Sequence, residues 1–435
     1  GINVLLDLLT STTQAITVLE NAAGALWNLA VEEESKQAIA ACGGIHKLVH
    51  ILQTIEDTKV LDNVTGALWN CSAIPENRAL LRKAGAMPVL LQRCQSESVT
   101  VRENCVGAIR NMVINDNNKT AVRESQGIEI LLALLHPKSS PSLIEKTVSA
   151  IWILSMDNDN KKALLESGGL AALIRLLTHP SGSIVEKALG ALRNCSTLLE
   201  AKMELKVLGL FDYLLPLLMH EEIAIRESAA AVVWHCAKTE ENKQHLADRG
   251  FLHRLVPMLS ATRDPDLLSQ VTGALLSLSM RQENACILEG LDCMPILATL
   301  MVDFVPATSP VSAHATGILR HIVAVSPSFR QTAIQGPLFT AACNKIDARS
   351  TQRVEPSQRE EAALLLRAMV DSEDATLTAL EHGILEVVLP LAESSISDDR
   401  KLAAAILQPM SQWQITRDEI QRLRLLSGSS YSNRS

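Results

Sequence analysis

Apolar residues recur along this chain at helical spacing, in runs separated by short polar stretches, and the runs themselves recur with a fixed period. Over residues 44–52, Ile45, Leu48, Val49, Ile51 and Leu52 line one face of a predicted helix, which ends in the polar stretch 53–57. A longer predicted helix covers 59–72, with Val60, Leu61, Val64, Ala67, Leu68 and Cys71 on its apolar stripe. Pro75 is placed to stop it, because proline breaks the ladder of backbone hydrogen bonds. A third, shorter helix is expected over 76–84 before Gly85 starts the cycle again.

The longer helix carries a seven-residue motif, GALWNLA at residues 24–30. It returns as GALWNCS at 66–72, GAIRNMV at 107–113, SAIWILS at 149–155, GALRNCS at 190–196 and AVVWHCA at 231–237. Weaker copies start at Gly273 and Gly317, and successive starts are 41 or 42 residues apart until the last interval of 44. A second marker keeps step, a glycine that opens an apolar stretch: Gly1, Gly44, Gly85, Gly127, Gly169, Gly209, Gly250, Gly290, Gly336 and Gly383. Helical units of this period bury their apolar faces only by stacking, so the chain is predicted to be an all-α solenoid of about nine to ten units.

A solenoid has no single core to outgrow, so one continuous unit is predicted over 1–426, regular over about 1–289 and looser over 290–426. Insertions at 303–310 and 346–358 lengthen the turns of the looser part. One more long helix is expected from Arg400 to Leu407, broken by Pro409, followed by a capping helix over 413–426. The stretch 427–435 is small and polar and is predicted to be disordered.

Three helices per unit, with the long one ending in (G/A)-A-L-x-N-(L/C)-(A/S), resemble the armadillo-repeat family, and the W-N-(L/C)-(A/S) string is similar to repeats of the catenin and adenomatous-polyposis-coli group. The resemblance implies a right-handed superhelix in which the long helices line a concave groove. It also implies that the Asn of each motif points into that groove: Asn28, Asn70, Asn111 and Asn194, continued by His235, Ser277 and His321 and interrupted at Ile153. An amide offers donors and an acceptor, so such a row can grip the backbone of an extended peptide. Alternatively each Asn ties neighbouring helices together.

Four residues before each Asn stands Gly24, Gly66, Gly107, Ser149, Gly190, Ala231, Gly273 or Gly317. Glycine inside a helix costs ~1 kcal/mol relative to alanine, so its recurrence calls for close approach of another backbone, in a joint between repeats or a bound peptide. Importin-α-type armadillo proteins, which read nuclear localisation signals, carry Trp at that place, and its absence here argues against that function. Tryptophan stands instead just before the Asn, as Trp27, Trp69, Trp152 and Trp234, and the same position holds Arg110, Arg193 and Arg320. A site that takes both Trp and Arg must be partly exposed, since an unpaired buried guanidinium is prohibitive. Its side chains either cover the joints between repeats, with Arg stacking on Trp, or anchor a ligand, since Trp and Arg dominate binding hot spots. Seven residues before that position lie Glu20, Asp62, Glu103, Glu145, Glu186 and Glu227. Early-turn acids suit the helix dipole, and in line along one groove they would bias it toward basic ligands.

Composition narrows the function. Forty basic against 48 acidic residues give a net charge of −8, which does not favour nucleic acid or anionic lipid, and too few Tyr and Phe are present to stack on bases. No apolar run approaches about 18 residues, the length a membrane-spanning helix needs. The nine cysteines form no C-x-x-C pair, and Cys71, Cys195 and Cys236 share one repeat position, which reads as core thiols of a reducing compartment rather than disulfides or zinc ligands. His46 and His50 sit at i and i+4 without a third metal ligand, and no phosphate-binding, nucleophile-elbow or zincin motif occurs, so neither enzyme chemistry nor a cofactor is expected. The expected function is a cytoplasmic protein-interaction scaffold for partner segments of basic character, of the kind that the resemblance places in adhesion, signalling or cytoskeletal regulation, with nucleus and cell junctions as further locations. A nuclear-transport carrier and the substrate-recruiting arm of a ubiquitin ligase are the alternatives.

Overall fold

The computed structural model describes residues 1–10, 15–303, 309–347 and 354–431. Among the described residues are thirty α-helices, one short 3-10 helix and no strand. The expected insertions at 303–310 and 346–358 fall partly outside the described residues, at 304–308 and 348–353. The contacts divide into two compact units, Gly1–Leu214 and Leu215–Ser435, and each is described by itself.

In the first unit the long helices are α1 (Ile16–Leu29), α2 (Thr58–Ser72), α3 (Val99–Met112), α4 (Pro141–Leu154) and α5 (Gly182–Cys195). In the second they are α6 (Ile223–Cys236), α7 (Pro265–Ser279), α8 (Val311–Val325), α9 (Pro356–Met369) and α10 (Ser397–Met410). Local chemistry starts these helices. The Asp57 carboxylate accepts from the backbone N–H groups of Lys59 and Val60, and the hydroxyls of Ser98 and Ser140 accept from Val101 and Leu143. Each such cap satisfies a donor that the first turn leaves unpaired. Within each unit successive long helices pack side by side, and the faces they bury are lined by Ala, Val, Leu and Cys, with Cys71, Cys195 and Cys236 fully buried. Burial pushes the Cys71 and Cys195 thiols up to about 12, so they fill space as neutral groups.

Three expectations change. Pro75 is the first residue of the helix Pro75–Lys83, where a missing N–H costs nothing, so it starts one helix as much as it ends another. Pro409 lies in the last turn of α10 and does not break it, and the final helix runs from Gln414 to Tyr431. The backbone of 427–431 continues this helix, and 432–435 lie outside the described residues.

The opening glycines divide into two kinds. Gly85, Gly209, Gly250 and Gly383, like Gly43 and Gly168 just before the markers Gly44 and Gly169, hold the left-handed conformation, with φ between +69° and +80°, that turns the chain into the next helix. Gly44 is instead the first residue of that helix, where an added Cβ would lie 2.7 Å from Ile39. Gly290 ends a helix, and Asp292 takes the left-handed turn in that repeat. In the fourth repeat the turn falls on Gln126, at φ +55°. A side chain there is strained, whereas glycine is not. Gln126→Gly is therefore expected to stabilise the first unit by about 1 kcal/mol, read as a higher urea midpoint at unchanged slope.

Candidate partner-binding face

The motif tryptophans are half-buried, and each lays its indole on the motif glycine of the next repeat. A Cβ on Gly66 would lie 2.4 Å from the Trp27 ring, on Gly107 2.7 Å from Trp69, on Gly190 2.6 Å from Trp152, and on Gly273 2.6 Å from Trp234. The close neighbour that these glycines require is thus a flat ring from the adjacent repeat, not a backbone. Where arginine stands in place of the ring the glycine is absent too: Arg110 Nε donates to Ser149 Oγ at 2.8 Å, and Arg193 is followed one period later by Ala231. Lysines stack on two of the indoles, with Lys146 Nζ 4.7 Å from the Trp69 centroid and Lys238 Nζ 5.4 Å from that of Trp234.

Asn28 and Arg110 are exposed, whereas Asn70, Asn111, Asn194, Arg193 and His235 are half-buried. The amides do tie neighbours. Asn111 Nδ2 donates to Ser72 Oγ at 3.0 Å and Asn194 Nδ2 to Ser155 Oγ at 2.9 Å, while Asn70 Nδ2 reaches the Trp27 carbonyl at 3.5 Å. Ser72 and Ser155 in turn donate to the carbonyls of Trp69 and Trp152 at 2.5 and 2.6 Å. His321 keeps the pattern in the second unit, its Nδ1 lying 2.7 Å from Ser279 Oγ. Burial, with Arg320 and Lys243 nearby, pulls its pKa down to about 4.

The acidic row is largely occupied. Asp62 accepts from Ser98 Oγ at 2.8 Å. Glu103 accepts from Ser140, Ser142 and Lys146, each at 2.7 Å, and Glu145 from Ser183 at 2.6 Å and Lys187 at 3.1 Å. Glu20 faces Lys59 at 3.8 Å, and Glu186 and Glu227 are half-buried. Burial pushes the Glu103 carboxyl up, but the Lys146 ammonium and two serine hydroxyls outweigh it and hold the pKa below its ordinary value. These carboxylates join one long helix to the next.

A second asparagine row went unread in the sequence. Asn77, Asn118, Asn160, Asn242 and Asn284 are buried, and all but Asn160 donate to the carbonyl six residues back, at the end of the preceding long helix. Asn160 donates instead to the Lys119 carbonyl at 3.4 Å and accepts from Arg123. The signal was available: an Asn, followed by Lys or Arg in four of the five, recurs six residues after the motif's sixth position in five of the eight repeats, the others having Ser35, Ala201 and Ser328. Among the described residues, no group of three or more His, Cys, Asp or Glu could hold a metal ion, and no single helix is long and apolar enough to cross a membrane.

Stacked three-helix repeats joined in this way define an α-solenoid, and comparison says which kind. Residues 4–207 match the family model of the plant U-box protein ARM repeat region. No curated protein matches the chain. Among solved structures, an engineered protein shares a TM-score of 0.81 at 23% identity, over 94% of this chain and 98% of that one. A designed armadillo repeat protein matches with a TM-score of 0.51 at 24% identity, over 54% of this chain and 100% of that one. The chain has the armadillo-repeat fold, which serves in general as a scaffold for protein interaction.

Proposed function

We propose that this chain is a non-enzymatic scaffold that holds a partner segment along the long-helix face of its first unit, from Trp27 and Asn28 to Arg193 and Asn194. The observation that carries this reading is the two-sided placement of the motif pairs. Each half-buried Trp is fixed by the next repeat's glycine, and each tied Asn spends one N–H on its neighbour. The second N–H and the amide carbonyl of Asn194 remain for a ligand backbone. Side chains already held in one rotamer lose little entropy on binding, so joints between repeats and a binding row are compatible roles. The acidic row does not enter the proposal, because Asp62, Glu103 and Glu145 have partners inside the protein. A cytoplasmic setting belongs to the same proposal, since nine free thiols suit a reducing compartment.

Peptides selected on the whole chain from a random dodecapeptide phage library test this. Asn28→Ala combined with Asn70→Ala is expected to weaken the best of them by about tenfold, the loss of one or two hydrogen bonds, at a stability cost below about 1 kcal/mol. Unchanged affinity in that variant would place the binding surface elsewhere. The match of residues 4–207 to plant U-box armadillo repeats favours a second reading, the substrate-recruiting arm of a ubiquitin ligase. It requires that a protein held on this face become ubiquitylated in cells in proportion to its affinity.

A further inference from the structure

Between α2, α3, α4 and α5 the long-helix face opens into a hollow of about 230 Å³ lined by Trp69, Gly107, Arg110, Glu145, Lys146, Ser149 and Lys187. Its charges do not cancel. Lys146 is bound to Glu103 at 2.7 Å and Lys187 to Glu145 at 3.1 Å. The exposed guanidinium of Arg110 has no carboxylate within ion-pair distance among the described residues. Its hydrogen bonds go to neutral groups, Ser149 Oγ at 2.8 Å through Nε and Asn111 Oδ1 at 3.5 Å through Nη1, and its charge reaches Glu145 only through space, helping to lower that carboxyl's pKa. Three cations therefore stand against two carboxylates. Those two bonds are also what aims the guanidinium: Nε is held by the next helix, leaving Nη2 and the outer edge of the fork to solvent. The replacement is coordinated, since Arg stands here where Trp stands in the flanking repeats, and Ser where they have Gly. An arginine that merely decorated the surface would not need that serine.

We propose that this hollow takes a carboxylate, an Asp or Glu side chain of the partner segment, with Arg110 as its anchor and Trp69 as the wall against which the neighbouring partner residue packs. The inference rests on the long-helix face being the binding surface. It reverses the basic character expected of the ligand: around this hollow Glu103 and Glu145 are consumed at the joints, and Arg110 is the charge left to address. A planar guanidinium matches a carboxylate in two parallel hydrogen bonds, which makes Arg110 a determinant of specificity rather than a general attractor.

The same dodecapeptide library, panned against the whole chain, tests it. Selected peptides are expected to share an Asp or Glu beside an aromatic or aliphatic residue. Their affinity should fall about tenfold or more in Arg110→Gln, the effect of losing a charge-assisted pair, and stay within about twofold in Arg254→Gln, an exposed arginine of the second unit. Selection of basic or uncharged peptides overturns the anion subsite. So does an Arg110→Gln affinity equal to wild type while Asn28→Ala with Asn70→Ala still weakens binding, and in that case the binding face itself stands. Affinity unchanged in both variants removes the face and the subsite together.

Discussion

Gly107→Ser should destabilise the first unit by about 2 kcal/mol, and adding Trp69→Arg should restore more than half of the loss. The added Cβ would lie 2.7 Å from two indole atoms of Trp69, a distance at which something must shift. The ring cannot flex as a long side chain would, because it is pinned between the Gly107 backbone and the Lys146 ammonium. Overpacking costs about 1–3 kcal/mol, while serine regains about 0.5 kcal/mol of helix propensity over glycine, so the strain wins. Trp69→Arg with Gly107→Ser rebuilds the joint that Arg110 and Ser149 form one repeat later. Trp69→Arg alone loses the ring and gains no serine, so both single variants are expected to be less stable than the pair. Hydrogen exchange over 58–72 and 99–112, with urea unfolding of the whole chain, gives the double-mutant cycle. Additive losses would mean that the Trp and Gly positions are independent and that their covariation has another cause.

That joint shows what could be read in the sequence and what could not. The period, the three helices and the buried thiols follow from apolar spacing, which is a property of each helix alone. What a helix taken singly does not show is which residue of its neighbour it meets. Gly66, Gly107, Gly190 and Gly273 announced a close approach but not a ring, although each follows a tryptophan by about one period. Likewise Glu103 and Glu145 read as an open acidic row, because Lys146 and Lys187 follow the acids of the next repeat and belong to a different helix. Pairing positions across one period, rather than within one motif, would have exposed both joints. It would also have set Asn77, Asn118, Asn160, Asn242 and Asn284 in line. The left-handed turn at Gln126 had no such signal, because Gly127 beside it satisfied the glycine marker.

Glu103→Lys is expected to cost the first unit about 3 kcal/mol, the lower end for breaking a buried ion pair, since both partners are 20% exposed. The substitution sets a second ammonium against Lys146 and removes the acceptor of Ser140 and Ser142. Glu103→Gln should cost less, keeping an acceptor while losing the charge, and it isolates the pH dependence. The Glu103 pKa is held below its ordinary value of 4.5 in the folded chain, so its contribution is complete above that value. The contribution is lost as pH falls through the lower folded value, because below it both states carry the proton. The stability difference between wild type and Glu103→Gln should therefore be constant near neutrality and shrink as the solution is taken below pH 4.5. Taking the difference removes the other acid-sensitive groups, among them His314, whose pKa burial lowers to about 4 and which destabilises the second unit as pH falls from 6.5 toward that value. The same variant separates joint from ligand site. If Glu103→Gln leaves exchange over 99–112 and 141–154 unchanged and instead weakens a basic peptide, the carboxylate faces the partner. If it loosens both helices and leaves peptide affinity intact, the carboxylate is a bond between repeats, and the charge that addresses the partner is the one on Arg110.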